Sequence, residues 1–170
     1  GGVGKTTISS DIYNKMSYQS QGSCLFRNIR EISKQGGGLI HVQNTLLFQI
    51  GRTKLDINDV DRGVGVIWHR IQCKRILLIL DDVDDMVQLE KLQGDRAWFG
   101  SGSRIIITTR DQHLLNILQA DSKLEVMTKD AKESLQPFSM YAFEEIEPLR
   151  DYVDLSQQVT KYGPGLPLAL

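Results

Sequence analysis

Apolar positions along this chain recur at two spacings, and segments of the two kinds alternate. Ile8, Ile12 and Met16 return every four residues, which predicts a helix. Ser23 to Phe26 is a short strand candidate, and Gln35 to Gly38 a glycine-rich turn. Leu39, Val42, Leu46, Leu47 and Ile50 make a helical stripe. Val60, Val64, Ile67 and Ile71 make another, weakened by Gly63 and Gly65 inside it. The stretch Arg75 to Leu80 is apolar without a break after its first residue, as in a strand buried on both faces. Met86, Leu89, Leu92 and Trp98 predict a short helix and loop, then Gly100 to Gly102 a turn. Arg104 to Thr109, rich in β-branched residues, predicts the next strand. His113 to Leu118 reads as a short helix and Leu124 to Met127 as a last strand. Strands alternating with amphipathic helices predict an α/β fold, a parallel sheet flanked by helices.

The pattern changes near Thr128. Strand-like runs stop, and two helical segments follow, Asp130 to Phe143 and Asp151 to Tyr162. The expected division is therefore 1–127 and 128–170. Pro137 falls inside the first helix and should kink or split it, since proline lacks the backbone donor. Both ends look like cuts: the chain opens on glycines without Met and closes on what reads as the first turn of a helix. That predicts a fragment of a longer protein.

Composition narrows the partners. Among 170 residues, 41% are hydrophobic and 24% charged, with a formal net charge of -1, so no overall field draws the chain to nucleic acid or an acidic membrane. The longest apolar run, Ile76 to Leu80, is too short to cross a bilayer, and an opening on glycines, not on a charged segment followed by an apolar one, reads as no signal peptide. Cys24 and Cys73 form no CxxC pair and read as reduced, buried thiols of a cytosolic protein. His41, His69 and His113 have no partner at metal-ligand spacing and read as surface or packing residues.

The chemistry lies in three motifs. Gly1-Gly2-Val3-Gly4-Lys5-Thr6-Thr7 ends in the GK[ST] of a P-loop and runs straight into a helical stripe. Glycines let backbone N–H groups close around phosphate oxygens, and the helix N-terminus adds its positive end. Lys5 would reach the β- and γ-phosphates, and the Thr6 hydroxyl would ligate Mg²⁺. The pattern's first glycine and the strand before it are absent from this sequence. A bare glycine-rich turn opening a helix is the bland alternative. Second, the apolar run Ile76 to Leu80 empties into Asp81-Asp82. Asp81 would hold Mg²⁺, and Asp82 would orient or deprotonate an attacking water. A solvated acidic turn is the alternative. Asp84 and Asp85 read as mostly solvated, Asp84 with a possible supporting role. Third, Gly102 to Arg110 ends a strand at Thr109-Arg110, where ligands sit in such sheets. An arginine there can reach a terminal phosphate; a plain surface arginine is the alternative.

In this order the motifs resemble the NB-ARC module of plant intracellular immune receptors, the NBS-LRR or NLR family, across essentially the whole chain. GGVGKTT is similar to the family's P-loop. Leu77-Leu78-Ile79-Leu80-Asp81-Asp82-Val83-Asp84 resembles its kinase-2 motif. Gly102 to Asp111 resembles its GSRIIITTRD signature, and Gly165 to Leu170 its GLPL motif. Asp84 at the end of kinase-2, with Phe26 to Ile32 (FRNIREI), resembles the branch that carries an N-terminal TIR domain.

The resemblance implies a P-loop NTPase sheet over 1–127, its first strand missing, then the start of a helical (ARC1) subdomain over 128–170. It implies a switch: ADP holds a closed state, ATP allows opening and homo-oligomerisation, and slow hydrolysis resets it. Gly2, Val3, Gly4, Lys5, Thr6 and Thr7 would bind phosphates, with Thr6 and Asp81 on Mg²⁺. Asp82 would be catalytic, Arg110 would sense the γ-phosphate, and Pro167 would approach the nucleotide from the helical subdomain. Implied partners are an adenine nucleotide and, in a full-length protein, TIR and leucine-rich-repeat domains. The implied setting is cytoplasmic, without nucleic acid or membrane. A turnover P-loop ATPase of another class, and a non-binding remnant, remain the competing readings.

Overall fold

The computed structural model describes residues 4–52, 54–126, 139, 145, 147 and 150–162. Gly1, Gly2, Val3, Met127, the helix expected over Asp130 to Phe143 with Pro137 (apart from Ser139), and the GLPL segment with Pro167 lie outside these. Contacts divide the chain into two compact units, Thr6–Asp121 and a second comprising Gly1–Lys5 with Ser122–Leu170.

The larger unit is built on three parallel strands. They are β1 (Gly22–Phe26), β2 (Ile76–Val83) and β3 (Arg104–Thr109), in the order β1-β2-β3. Gly22 pairs with Ile76 and Phe26 with Leu80; Leu77 pairs with Arg104 and Leu80 with Ile107. Central β2 is buried from Ile76 to Asp81. Successive side chains on a strand point to opposite faces. Ile76, Leu78 and Leu80 accordingly join one apolar cluster with Cys24, Phe26, Val42, Leu46, Ile67 and Leu89, while Leu77 and Ile79 are buried outside it. That double burial is why β2 reads as an unbroken apolar run.

Helices α3 (Gly38–Gly51), α4 (Val60–Ile71) and α5 (Met86–Leu92) pack on one another over that cluster. Gln43 of α3 is fully buried, and its amide Nε2 donates to the carbonyls of Val60 and Lys91, each at 2.9 Å. Gly63, a weak helix former by propensity, makes this possible. A Cβ there would lie 2.1 Å from Gln43 Oε1.

Three features differ from the sequence expectation. A five-residue helix, α2 (Ile29–Ser33), follows β1. It is too short to show a period, and the burial of Ile29 holds it in place. Leu124 to Val126 form no strand, and Leu124 is 81% exposed. A strand needs a neighbour for its backbone groups, and among the described residues none pairs with this segment. Finally, Cys24 is buried but Cys73 is exposed, because it lies in the turn after α4 with a left-handed backbone, φ 61°. His41, His69 and His113 are all exposed.

In the second unit, a 3₁₀ turn at Arg150–Tyr152 leads into the helix Val153–Tyr162. Among the described residues no helix is long and apolar enough to cross a membrane.

Candidate functional site

Helix α1 (Lys5–Met16) begins directly after Gly4. Gly4 has φ +87°, a left-handed conformation that a side chain would strain. The first N–H groups of any helix lack internal partners and carry its positive end, so such a start suits an anion. Lys5 is the first residue of α1, and Thr6 and Thr7 continue its first turn. The Thr6 hydroxyl donates to Asp81 Oδ2 at 2.7 Å, across 75 positions of sequence. The P-loop helix and the end of β2 are thereby joined.

Asp81 is 1% exposed. Its other oxygen, Oδ1, accepts from the Thr108 hydroxyl at 2.6 Å. Carboxylate oxygens carry two lone pairs each, so both keep acceptor capacity. A buried carboxylate served by neutral hydroxyls favours a cation beside it, because burying charge is costly unless it is paired. Mg²⁺ takes one or two carboxylates and completes its shell with water and phosphate oxygens. A threonine hydroxyl touching a buried aspartate fits that modest demand on the protein.

The strand bulges at this point. Between the pairs Leu80↔Ile107 and Val83↔Thr109, β2 carries two residues and β3 one. Asp82 takes the left-handed conformation, φ 58°, and its N–H donates to Thr108 Oγ1 at 3.0 Å. Thr108 therefore serves both aspartates. The Asp82 carboxylate, 15% exposed, lies between two guanidinium groups: Arg110 Nε is 3.2 Å from Oδ1 and Arg30 Nη2 is 3.2 Å from Oδ2.

The flanking acidic residues are used locally. Asp85 caps α5 by accepting from the N–H of Val87 at 2.8 Å. Asp84 Oδ1 accepts from Gln88 Nε2 at 2.7 Å. Asp111 caps α6 (Gln112–Ile117) through the N–H of His113 at 2.8 Å, which closes the chain just beyond Arg110.

Of the residues predicted for the site, the larger unit brings together Thr6, Asp81, Asp82 and Arg110. Thr7 is exposed on α1, and Gly4 and Lys5 open that helix. Gly2, Val3 and Pro167 lie outside the described residues. Sequence reasoning missed Thr108 and Arg30. Thr108 was legible in part: two parallel strands that both end in polar residues set Thr108 opposite Asp81-Asp82. Arg30 carried no chemical signal, since its position depends on α2.

A family model of the NB-ARC domain matches residues 1–147. The chain belongs to the NB-ARC domain family. Membership implies nucleotide binding, and the parallel sheet flanked by helices agrees with a P-loop NTPase fold of NB-ARC type. This NB-ARC chain is 43% identical to "Disease resistance protein RUN1" of Vitis rotundifolia, with 100% of the chain and 13% of that protein covered. It is 42% identical to "Disease resistance protein RPV1" of the same species, covering 100% and 12%. It is 41% identical to "TMV resistance protein N" of Nicotiana glutinosa, covering 100% and 15%. The chain thus spans 12–15% of the length of these relatives.

Proposed function

We propose that this NB-ARC domain is the adenine-nucleotide switch of a plant intracellular immune receptor of the TIR-bearing branch. ADP with Mg²⁺ holds the resting state, ATP permits opening and homo-oligomerisation, and slow hydrolysis resets the switch. The carrying observation is the Thr6 hydroxyl on buried Asp81, 2.7 Å apart. It joins the helix that opens inside the GKT sequence, at Lys5, to the acidic end of a parallel strand, which supports reading the two as halves of a phosphate–metal pocket. Relatives named as disease resistance proteins support the biological setting.

In this reading Gly2, Val3, Gly4, Lys5 and Thr7 bind phosphates, while Thr6 and Asp81 hold Mg²⁺. Asp82 orients the water that attacks the γ-phosphorus as the bond to the β–γ bridging oxygen breaks, releasing ADP and phosphate. Arg110 reads the γ-phosphate, and Pro167 couples the nucleotide to the helical subdomain, with the division placed at 127/128. One ligand touching two subdomains can bias their packing by its differential affinity for the two arrangements. TIR and leucine-rich-repeat domains in the full-length protein, and a cytoplasmic setting, belong to the same proposal.

Thermal unfolding of the full-length protein tests it. ADP with Mg²⁺ at a hundred times its dissociation constant should stabilise by about 2.7 kcal/mol. Lys5→Ala should abolish that increment. An increment that survives Lys5→Ala overturns the assignment. Hydrolysis faster than about 1 s⁻¹, an ordinary enzyme rate, would instead favour a turnover ATPase.

A further inference from the structure

We propose that Arg30 is a positioning residue that keeps the Asp82 carboxylate oriented, so that Arg110 is the exchangeable partner. The inference rests on the functional reading above and assigns a role to a residue outside the three motifs.

Asp82 is held at three points. Its N–H donates to the Thr108 hydroxyl, Oδ1 accepts from Arg110 Nε, and Oδ2 is ion-paired with Nη2 of Arg30, whose Nε faces Glu31 at 3.2 Å. The two arginines differ in where they are anchored. Arg110 follows the last residue of β3 and its side chain is 52% exposed. Arg30 lies on α2 with 27% exposure, beside Ile29, which is wholly buried. Ion pairs of exposed groups, such as Lys15 with Asp11 at 72% and 57%, are weak and screened by salt. The pair of Arg30 and Asp82, at 27% and 15%, is screened far less.

A conflict in Arg110 makes the second arginine necessary. An arginine that reads a terminal phosphate must turn its guanidinium toward that phosphate. Here the same group holds Asp82 Oδ1. Were Arg110 the sole support, the carboxylate would lose its orientation as the triphosphate arrived, and two anions would face each other without a cation between them. Arg30 removes both difficulties. It keeps Oδ2 fixed, and it leaves a positive charge beside Asp82 when Arg110 departs. The left-handed backbone at Asp82 aims the side chain, and Arg30 holds it there.

The full-length protein and its Arg30→Gln variant test this through single-turnover hydrolysis of bound ATP, ADP affinity and the melting temperature without nucleotide. Arg30→Gln should slow hydrolysis by about tenfold, the scale of a small misplacement of a catalytic group, and leave ADP affinity unchanged. Arg30→Lys should recover part of the rate. In an Asp82→Asn background, adding Arg30→Gln should slow hydrolysis no further. Without nucleotide, Arg30→Gln should lower the melting temperature of the parent more than that of Asp82→Asn. Unchanged hydrolysis, ADP affinity falling in parallel with the rate, or equal melting losses in the two backgrounds would overturn the role. A parent that binds no ADP overturns the functional reading and this inference with it. A parent that binds ADP, hydrolyses ATP and is indifferent to Arg30→Gln overturns the inference alone.

Discussion

The two ends of the parallel sheet use polar side chains in opposite ways. At the N-terminal end, side chains serve the backbone. Ser103 Oγ accepts from the N–H of Ile76 at 3.0 Å and donates to the carbonyl of Lys74 at 3.1 Å. Gln21 Oε1 accepts from the N–H of Arg75 at 2.8 Å. At the C-terminal end, side chains chiefly serve one another: Thr6 and Thr108 donate to Asp81, while Arg30 and Arg110 flank Asp82. The first arrangement closes a strand end with neutral groups that have no further work. The second gathers two carboxylates, two guanidinium groups and two hydroxyls where charge can be exchanged with a ligand. Parallel sheets bind ligands beyond the carboxyl ends of their strands, and this difference is the local reason.

Substitutions at each end sharpen the contrast. The largest expected effect on nucleotide binding is at Asp81. Asp81→Ala should weaken Mg²⁺-dependent nucleotide binding by about tenfold or more, roughly 1.4 kcal/mol, and Mg²⁺-free binding by less. Titrations with and without Mg²⁺ check this, and equal losses contradict the metal role. At the opposite end, Ser103→Ala leaves the buried N–H of Ile76 without its acceptor. It should cost about 1–3 kcal/mol in urea unfolding while leaving the nucleotide-induced increment intact. A lost increment would mean that the two ends are not independent.

The smallest effect lies between the ends, on β1. Burial pushes the Cys24 thiol from its ordinary 9.0 up to about 12. The unfolded chain ionises this thiol first, so its contribution is intact below about pH 9 and is lost as pH rises from there towards 12. Cys24→Ala should lessen the alkaline fall in stability, measured by unfolding across that range. At neutral pH a thiol reagent should label exposed Cys73 and spare Cys24.

Legibility followed range. The stripes at Leu39 to Ile50 and Val60 to Ile71 and the apolar run of β2 were readable because each reports a face buried along its own element. The GKT sequence and the Asp81-Asp82 pair were readable because phosphate and metal chemistry demand those residue types. Leu124 to Val126 misled because an apolar alternation states a capacity to pair and not the presence of a partner. Gly63 misled in the other direction. Propensity counts it as a weakness, whereas the approach of Gln43 requires the missing side chain.

The amino-acid sequence alone determined the α/β class, the three strands of the sheet with the helices over Leu39 to Ile50 and Val60 to Ile71, and which residue types could meet a phosphate and a metal. Each follows from local periodicity or from the chemistry of single side chains. Only the tertiary structure decided that Asp81 faces Thr6 and Thr108 while Asp82 faces two arginines. A one-residue bulge between neighbouring strands and a five-residue helix set those directions, and both exist through contacts between segments distant in the chain.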